Sequence, residues 1–392
     1  MDHIKNLVVL VNLPLCNYSY KDKGNVYPAT AILLIGSYLK KNGFEVIIVD
    51  GTYDEQYESN LLNLLEKRSK DIVYIGLSVM VVQIPFALDL MKSIKKNFSD
   101  LKVVIGGAHP SLYPSESLKY LGVDFVVVNE GTHAAIELAN VLSKGDDFTK
   151  IKGICYLKDN QISFTPNDKI DDLKELPFFD FSLIEAENYL DVKSSVYTRE
   201  FPYFTEKLRI MPILTGLGCP YRCEFCINVV LKRKYRFRSA LEIITEIKNL
   251  QKQYRANTFL FLDEDFFINK KRVLEFLDLA EKESLKFNFR TWCRADHFKD
   301  DYLNDELFKR FEKIGHMSLA IGAESGNDDI LRAIRKDITK HDIIRSIKTL
   351  DKTKVFARYS FMIGLENESM AEIKISISCF SKILLSAFIK DK

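Results

Sequence analysis

The sequence contains no apolar run long enough to cross a membrane, and its first residues lack the charged region and cleavage site of a signal peptide. Lys and Arg (56) nearly balance Asp and Glu (54), so the net charge of +2 gives no strong field to attract nucleic acid or a membrane surface. The seven cysteines are an odd number with three clustered, so they do not form a disulfide framework. These absences predict a cytoplasmic protein of a reducing compartment, without a membrane span or a nucleic-acid partner.

A chain of 392 residues, 47% of them hydrophobic, is too long for one ordinary core and can supply two. We predict a first domain over residues 1–145, a linker over residues 146–208 and a second domain over residues 209–392. Within the linker, Gly153–Leu157 and Gln161–Phe164 flank the turn Lys158-Asp159-Asn160, which indicates a small hairpin.

Short apolar segments alternate with longer amphipathic ones in the first domain. The predicted strands are Leu7–Leu13, Val46–Asp50, Ile72–Val79, Val103–Ile105 and Phe125–Val128. The predicted helices are Ala29–Lys41, Leu61–Lys67, Phe86–Asn97 and Ala134–Leu142. Strands without period-2 alternation, separated by helices, indicate a parallel sheet covered on both faces. The fold class is therefore α/β, with a doubly wound first domain whose ligand lies beyond the carboxyl ends of the strands.

Unusual residues gather at those strand ends. Paired glycines let a backbone approach a ligand closely, although turn glycines are common and a single His after a strand is more often a surface residue. The candidate ligand contacts of the first domain are Ser78, Gly106, Gly107, His109, Glu130 and Gly131. The fold alone does not say which ligand they would bind.

The second domain shows five further β-α units. Its predicted strands are Ile210–Leu214, Thr258–Leu262, Phe287–Thr291, His316–Ile321 and Phe356–Ile363. Polar residues follow every strand, at the end where parallel barrels place their chemistry. Acidic residues there, such as Asp263 and Asp265, are also frequent helix N-caps, and that interpretation stays open. The pattern predicts a partial (β/α) barrel, followed by one more helix over Met370–Ile389.

A capping box is predicted after the first of these strands, where Ser239 precedes Glu242 by three residues. The helix that it opens has an expected core-facing stripe of Leu241, Ile244, Ile247 and Leu250.

Three cysteines stand within eight residues, in the segment Gly218-Cys219-Pro220-Tyr221-Arg222-Cys223-Glu224-Phe225-Cys226. A zinc site normally takes four protein ligands, and a cubane iron–sulfur cluster has four irons to ligate. Three cysteines leave one iron free to hold a chelating substrate, which favours a reactive cluster. A zinc loop completed by a distant Cys or His, or three unrelated core cysteines, are the alternatives.

This segment resembles the signature of the radical S-adenosylmethionine (SAM) enzymes. The resemblance implies a [4Fe–4S] cluster on Cys219, Cys223 and Cys226, with SAM on the open iron and Phe225 near the adenine. Further runs that resemble the family's pattern are Phe261–Phe266, Thr291–Asp296, Ile321–Gly326 and Phe361–Leu365. They imply SAM contacts at Asp265, Arg294, Glu324, Ser325, Ile363 and Gly364. Glu366-Asn367-Glu368-Ser369 replaces the family's usual P-G-E-T.

The first domain resembles the cobalamin-binding domain that precedes many of these enzymes. The similar runs are Asn12–Pro14, Gly36–Leu39, Gly43–Val46, Gly76–Ser78, Gly106–Ser111 and Val123–Val127. The family usually reads GGPHPT and GEGE at its two glycine turns, where this sequence reads GGAHPS and Asn129-Glu130-Gly131-Thr132. The D-x-H-x-x-G motif is absent, so the resemblance implies cobalamin bound without a protein His on cobalt.

The resemblance implies a cobalamin-dependent radical SAM enzyme. The expected chemistry is reductive cleavage of SAM to a 5′-deoxyadenosyl radical, followed by methyl transfer to an unactivated carbon of a small-molecule or natural-product-type substrate. Flavodoxin or ferredoxin is the expected electron donor. The alternatives are a radical rearrangement or oxidative cyclisation without methyl transfer, an enzyme that has lost cobalamin, and a truncated, inactive cofactor-binding copy. Family members normally continue into a sixth strand, which makes this chain short.

Overall fold

The computed structural model describes residues 5–15, 28–166, 172–190, 199–202, 204, 206–366 and 368–379. The chain divides into two compact units, Met1–Tyr189 and Leu190–Lys392. The first unit therefore extends beyond residue 145 and takes in much of the segment that we expected to be a linker. The reason is the hairpin within that segment, which joins the sheet of the first unit.

The first unit is built on a seven-stranded sheet. Its strands are β1 (Leu7–Asn12), β2 (Glu45–Asp50), β3 (Ile72–Ser78), β4 (Val103–Gly106), β5 (Phe125–Val127), β6 (Ile154–Lys158) and β7 (Gln161–Phe164). The order is β2-β1-β3-β4-β5-β6-β7. The five neighbouring parallel strands β2, β1, β3, β4 and β5 confirm the predicted doubly wound sheet. The two hairpin strands add to it antiparallel, at the edge of β5.

Helices cover both faces of this sheet. The helices of this unit are α1 (Thr30–Lys41), α2 (Tyr57–Arg68), α3 (Ile84–Asn97), α4 (Ala108–Leu112), α5 (Pro114–Leu121) and α6 (Thr132–Lys144), and α7 (Glu187–Leu190) stands at the boundary with the second unit. Every residue of β1 is buried, because alternate side chains enter two separate cores. Val9 packs on the side of α2 and α3, and Val8 on the side of α1 and α6. Burial on both faces explains why the strand reads as a continuous apolar run.

The second unit contains a five-stranded parallel sheet and a short antiparallel pair. Its strands are β8 (Ile210–Ile213), β9 (Gly216–Leu217), β10 (Arg236–Phe237), β11 (Thr258–Phe261), β12 (Asn288–Cys293), β13 (Met317–Glu324) and β14 (Phe356–Phe361). The parallel strands follow the order β14-β13-β12-β11-β8, as successive β-α units require. All five predicted strands are therefore present, and β9 and β10 frame the cysteine segment.

The helices of the second unit are α8 (Ile227–Val230), α9 (Ala240–Tyr254), α10 (Lys270–Lys282), α11 (Asp305–Ile314), α12 (Asp328–Ala333) and α13 (Lys340–Leu350). Residues 370–379 are also helical, and the rest of the helix predicted to end at Ile389 lies outside the described residues. The predicted capping box opens α9, because Ser239 and Glu242 exchange side-chain and backbone hydrogen bonds. The expected stripe is wrong at Leu241, which is exposed, whereas Ile243 is fully buried.

The two faces of the five-stranded sheet differ in chemistry. One face carries Phe261 and Phe289, which pack on Phe276 of α10 and Phe311 of α11, and this is the helix-covered core. Because side chains alternate along a strand, the residues between them point to the opposite face, which we call the inner face. Strand register places the following residues on the inner face: Arg290, Trp292, Ser318, Ala320, Gly322, Arg358 and Ser360.

Candidate cofactor sites

The cysteine segment is a tight loop that leaves β9. Gly218 has a positive φ of 76°, and a Cβ at this position would collide with the backbone carbonyl of Lys234, next to β10. Only glycine fits here, because both the conformation and the space exclude a side chain. The pairing of β9 with β10 thus fixes the direction in which the chain enters Cys219.

The three thiols lie on this one loop. Cys223 is buried, while Cys219 and Cys226 are partly exposed. The Cys226 amide donates to the Cys223 carbonyl at 3.0 Å, which closes the second half of the loop. No three His, Cys, Asp or Glu side chains are grouped in metal-binding geometry within the described residues. The fit of the loop to an iron–sulfur cluster therefore depends on its donor set, three sulfurs spaced over eight residues.

Burial and charge affect these thiols differently. Burial raises the pKa of the Cys219 thiol to about 11, and the nearby Arg294 guanidinium opposes this rise. Arg294 Nη1 also lies 3.8 Å from the Cys223 sulfur. Arg294 thus places a positive charge next to the donor sulfurs of the loop.

Arg294 joins the cysteine loop to the rest of the sheet end. Its guanidinium stacks on the Tyr221 ring at 3.6 Å from the centroid and pairs with Asp296 at 3.0 Å. Its Nη2 donates to the Lys336 carbonyl at 2.6 Å. We predicted a SAM contact at Arg294 from the family pattern, and the structure shows that its guanidinium contacts the cysteine loop, Asp296 and Lys336.

Glu324 lies at the end of β13 in a special conformation. The register with β14 shifts between Gly322 and Glu324, which marks a bulge, and Glu324 itself has a φ of +61°. A bulge redirects a side chain, and a non-glycine residue with positive φ is uncommon. A Cβ at Gly322 would collide with the Glu324 carboxylate, so the glycine makes room for it on the inner face.

The carboxylate of Glu324 pairs with Lys336, a residue that the sequence analysis did not identify. Lys336 Nζ lies 2.9 Å from Glu324 Oε1, and both side chains are buried. The same ammonium lies 5.9 Å from the ring centroid of Phe225, in the cysteine loop. Nothing in the run Ile334-Arg335-Lys336-Asp337 marks this lysine in the sequence, because the pairing depends on the fold.

The two aspartates after β11 have partners within the protein. Asp263 forms a buried ion pair with Arg272 at 2.8 Å, although burial still raises the pKa of its carboxyl group. Asp265 accepts from the Phe267 amide at 3.0 Å and lies 2.7 Å from His297 Nε2. Asp265 is thus an N-cap, as the alternative interpretation predicted, and its side chain supports the helical turn that follows β11.

The remaining residues predicted for SAM divide into buried and exposed ones. Ser325 is fully buried, and its hydroxyl lies 3.1 Å from the Ser376 hydroxyl, so the structure turns it away from the exposed strand ends. Ile363 is exposed just beyond β14, and Gly364 beside it has open space around its Cα.

In the first unit, the predicted contacts lie along one edge of the sheet. Ser78 and Gly106 are register partners at the ends of β3 and β4. Gly107 has a φ of +103°, and a Cβ there would lie 2.9 Å from the Val79 backbone. The glycine is thus required by the close approach of two loops of the protein itself.

Two further loops complete this edge. His109 is the second residue of α4, and its amide donates to the Val79 carbonyl at 3.3 Å. Gly131, with a φ of +73°, precedes α6, and Glu130 beside it is half-buried.

An exposed apolar strip follows β3 at the same edge. Met80, Val81 and Val82 are all exposed, although none is polar. Gln83 fixes the strip in place, because its Nε2 donates to the Leu13 carbonyl at 2.7 Å beyond the end of β1. This strip lies beside the β1–β3 junction, where the strand order reverses and doubly wound sheets bind ligands.

Comparison with protein families assigns a family to a long stretch of each unit. Residues 23–139 match the model of the B12 binding domain, and residues 213–378 match the model of the radical SAM superfamily. The chain belongs to the radical SAM enzymes that carry a B12-binding domain. Membership implies a [4Fe–4S] cluster and SAM for the second domain, and cobalamin for the first.

Several curated proteins resemble this radical SAM enzyme. An uncharacterized methyltransferase of Pyrococcus horikoshii is 25% identical over 97% of this chain and 79% of its own length. An anaerobic magnesium-protoporphyrin IX monomethyl ester cyclase of Rubrivivax gelatinosus is 27% identical, over 88% of this chain and 60% of its own length. The chain thus spans most of the first relative and less than two thirds of the second.

Solved structures share the fold of this radical SAM enzyme. The radical SAM methyltransferase TsrM from Kitasatospora setae superposes with a TM-score of 0.74 at 17% identity, over 97% of this chain and 71% of its own. The cobalamin-dependent radical SAM enzyme OxsB gives a TM-score of 0.76 at 20% identity, over 96% of this chain and 52% of its own. Among the described residues, no helix is long and apolar enough to span a membrane.

Proposed function

We propose that this chain is a SAM-cleaving methyltransferase that acts on an unactivated carbon of a small molecule. The observation that carries the proposal is the meeting of the cysteine loop, Arg294 and the Glu324–Lys336 pair at one end of a parallel sheet. When bound, the reduced cluster supplies the electron that cleaves SAM to a 5′-deoxyadenosyl radical, and cobalamin supplies a methyl group.

The cysteine loop is the proposed cluster site. Cys219, Cys223 and Cys226 are its three ligands, and Arg294 stabilises the negative charge of the Cys223 sulfur from 3.8 Å. The guanidinium of Arg294 is held in place because the residue is buried and contacts Tyr221, Asp296 and Lys336. An electron donor such as flavodoxin or ferredoxin would deliver electrons to this loop.

The Glu324–Lys336 pair is the proposed site for the methionine part of SAM. SAM carries an ammonium and a carboxylate on the same carbon atom, and the pair offers one charge of each complementary sign. Glu324 would accept charge-assisted hydrogen bonds from the ammonium, and Phe225 lies close enough to Lys336 to border the same space. For SAM to bind here, the Lys336 ammonium would have to share the Glu324 carboxylate with the SAM ammonium or move away from it.

The edge of the first unit is the proposed cobalamin site. The exposed Met80 and Val81 offer apolar contact to a large ring, and the Gly106-Gly107 turn keeps side chains away from the same edge. The exposed strip is otherwise costly in a polar solvent, which supports its use as a contact surface.

Methyl transfer is favoured over the alternatives by the methyltransferase relative that aligns along 97% of the chain. The cyclase relative, aligned along 88%, supports oxidative cyclisation as the second candidate. An inactive copy remains a third, separate outcome of the same experiment.

The test uses anaerobically reconstituted protein with a chemical reductant and SAM labelled in its methyl group. We expect both cobalamin and iron–sulfur absorption, release of 5′-deoxyadenosine and transfer of label to cobalamin. Cys223→Ala should lose the iron–sulfur absorption and the 5′-deoxyadenosine, whereas Cys155→Ala, at a buried thiol of the first unit, should keep both. Cleavage without methyl labelling of cobalamin would favour cyclisation, and loaded protein without cleavage would favour the inactive copy.

A further inference from the structure

The inner face of the second sheet contains a buried carboxylate that two arginines share. Glu200 is almost fully buried, with Arg358 Nη1 at 3.2 Å and Arg290 Nε at 3.6 Å from its oxygens. The hydroxyl of Ser318 donates to the same carboxylate at 3.3 Å. These residues come from β12, β13 and β14, so the carboxylate lies across three neighbouring strands.

The charges of this cluster do not balance. Arginine stays protonated in proteins, so two guanidiniums and one carboxylate leave one positive charge. Within the described part of the chain, Glu200 is the only acidic group within ion-pair distance of Arg290 or Arg358. Glu200 can neutralise only one of the two guanidiniums, so the cluster keeps one positive charge that solvent or a bound anion must balance.

The unpaired part of this charge faces the open side of the inner face. Arg358 is 43% exposed, whereas Arg290 is only 17% exposed. A guanidinium has five N–H donors arranged as a planar fork, and Glu200 occupies one end of it. The free donors of Arg358 therefore suit a second, bidentate oxyanion.

Trp292 borders the same region. Strand register puts Trp292, Ala320 and Arg358 in one row across β12, β13 and β14. Two strand spacings separate Trp292 from Arg358, about 9.5 Å between their Cα atoms. Beside these two residues, the central strand β13 presents Ser318, Ala320 and Gly322 on the inner face, so no large side chain of that strand stands between Trp292 and Arg358.

Trp292 itself is 42% exposed, and the Arg290 guanidinium lies 5.9 Å from its ring centroid. An exposed tryptophan beside a polar cluster offers an apolar face for stacking next to hydrogen-bond donors.

The two ends of this region differ. Towards the amino ends of the strands, Glu200 and Phe201 fill the inner face, and Phe201 packs on Ile210 and Leu260. Towards the carboxyl ends, Gly322 brings the Glu324–Lys336 pair onto the same face. The region bordered by Trp292, Arg358 and Ser360 thus lies between a filled end and the proposed SAM site.

We propose that this region binds the substrate, and that the substrate carries an oxyanion group on a planar, unsaturated body. Arg358 binds the oxyanion, Arg290 adds positive charge behind it, and Trp292 stacks on the planar body. Calling the bound molecule the substrate rests on the proposed function, whereas the binding chemistry follows from the residues themselves.

The chain's single tryptophan makes this testable, because its fluorescence reports on Trp292 alone. The probe is 4-nitrobenzoate, which quenches tryptophan on contact, and the neutral 4-nitrobenzamide is its match in shape. Titrations use the full chain before cofactors are added, so that absorption by the cluster and cobalamin does not interfere. We expect saturable quenching by the carboxylate with a Kd about tenfold below that of the amide, as a charged hydrogen bond provides.

Arg358→Gln should abolish the preference for the carboxylate. Arg332→Gln, at an exposed arginine paired with Asp329, should retain it. Arg358→Lys keeps the charge without the fork and should retain part of the preference. If Arg358→Gln does not fold, the wild type still decides, because added salt should raise the Kd of the carboxylate and not that of the amide.

A comparison with 4-nitrophenyl phosphate shows which oxyanion is preferred. Equal Kd values for the carboxylate and the amide, quenching that never saturates, or an equal loss in Arg332→Gln would overturn the proposal. Absence of 5′-deoxyadenosine in the cofactor-loaded enzyme would instead contradict the proposed function and leave this binding result unchanged.

Discussion

The ammonium of Lys336 lies 2.9 Å from the carboxylate of Glu324, and the surrounding protein buries both side chains. The sequence predicted Glu324 only as a SAM contact and indicated no partner for it within the protein. The observed pair changes that expectation, because removal of one partner leaves the other charged and buried.

We therefore expect Glu324→Gln to lower the free energy of unfolding by about 3 kcal/mol, with a similar loss in Lys336→Met. The double variant should lose less than the sum, since it contains no unpaired charge. Chemical denaturation of all four proteins measures this coupling. In cluster-loaded protein, Glu324→Gln should also weaken SAM binding by roughly 1–2 kcal/mol, which calorimetric titration measures. If a folded Glu324→Gln variant binds SAM with unchanged affinity, Glu324 only pairs with Lys336 and does not contact SAM.

Gly218 gives a second prediction, on assembly of the cysteine loop. Gly218→Ala combines a strained positive φ with a collision against the Lys234 carbonyl, whereas Gly364→Ala has the same strain and open space. We expect Gly218→Ala to take up much less iron on anaerobic reconstitution and Gly364→Ala to take up the normal amount. Iron content per chain is the measurement. Equal iron uptake by the two variants would show that the turn at Gly218 does not control the loop.

A third prediction concerns the exposed apolar strip of the first unit, Met80, Val81 and Val82. Val81→Asp places a carboxylate on a surface that we propose to contact cobalamin, and its desolvation should weaken cobalamin binding roughly tenfold. Leu157→Asp makes the same change at another exposed apolar residue, on the hairpin strand β6, and should bind cobalamin normally. Equilibrium dialysis followed by absorption spectroscopy compares them. A substitution at Gly107 would not test cobalamin binding, because a side chain there would collide with the Val79 backbone before any ligand bound.

A fourth prediction concerns pH. Burial raises the pKa of Glu246 in α9 to about 8, with Arg238 opposing the rise and Glu242 adding to it. The folded protein therefore holds this proton at a pH where the unfolded chain, with a pKa near 4.5, has released it. Stability must fall as pH rises from about 4.5 to about 8, since the unfolded state binds fewer protons over that range.

Glu246→Gln should remove this dependence and add about 2–3 kcal/mol to the free energy of unfolding at pH 7. Glu275→Gln, at an exposed position on α10, serves as the control. Denaturation curves from pH 5 to pH 8 (about one unit apart) provide the profile. Parallel profiles for wild type and Glu246→Gln would show that Glu246 is not the group responsible.

Much of the fold could be predicted, because a parallel strand that is buried on both faces appears in the sequence as a continuous apolar run. The hairpin was also predictable, because tight hairpin turns require a positive φ, which Asp and Asn tolerate better than most residues. Asp159 and Asn160 both adopt it. The phase of α9 was harder. Its buried side includes Ala240, Ile243, Ile244, Ile247 and Leu250. Leu241 lies on the other side, because each step of three residues falls about 60° short of a full turn and three such steps reach the opposite face.

The site was less accessible to sequence reasoning than the fold. The three cysteines are neighbours in the chain, so their spacing alone indicates a common centre. Lys336 and Glu324, by contrast, meet only because a bulge redirects one and a glycine makes space for it. Ser325 follows Glu324 directly, yet the same bulge turns it towards Ser376. Side-chain direction at an irregular strand end cannot be derived from a pattern of residue types.

The carboxylate of Glu200 also has a consequence for how the second unit folds. Glu200 lies before the first strand of its sheet, yet it pairs with Ser318, 118 positions later, and with Arg358 on the last described strand. Closing so long a loop is slow and gains nothing until the distant strands have assembled. The polar interior of this unit therefore forms late, and a chain that stopped before β14 would leave Glu200 with Arg290 as its only arginine partner among these strands.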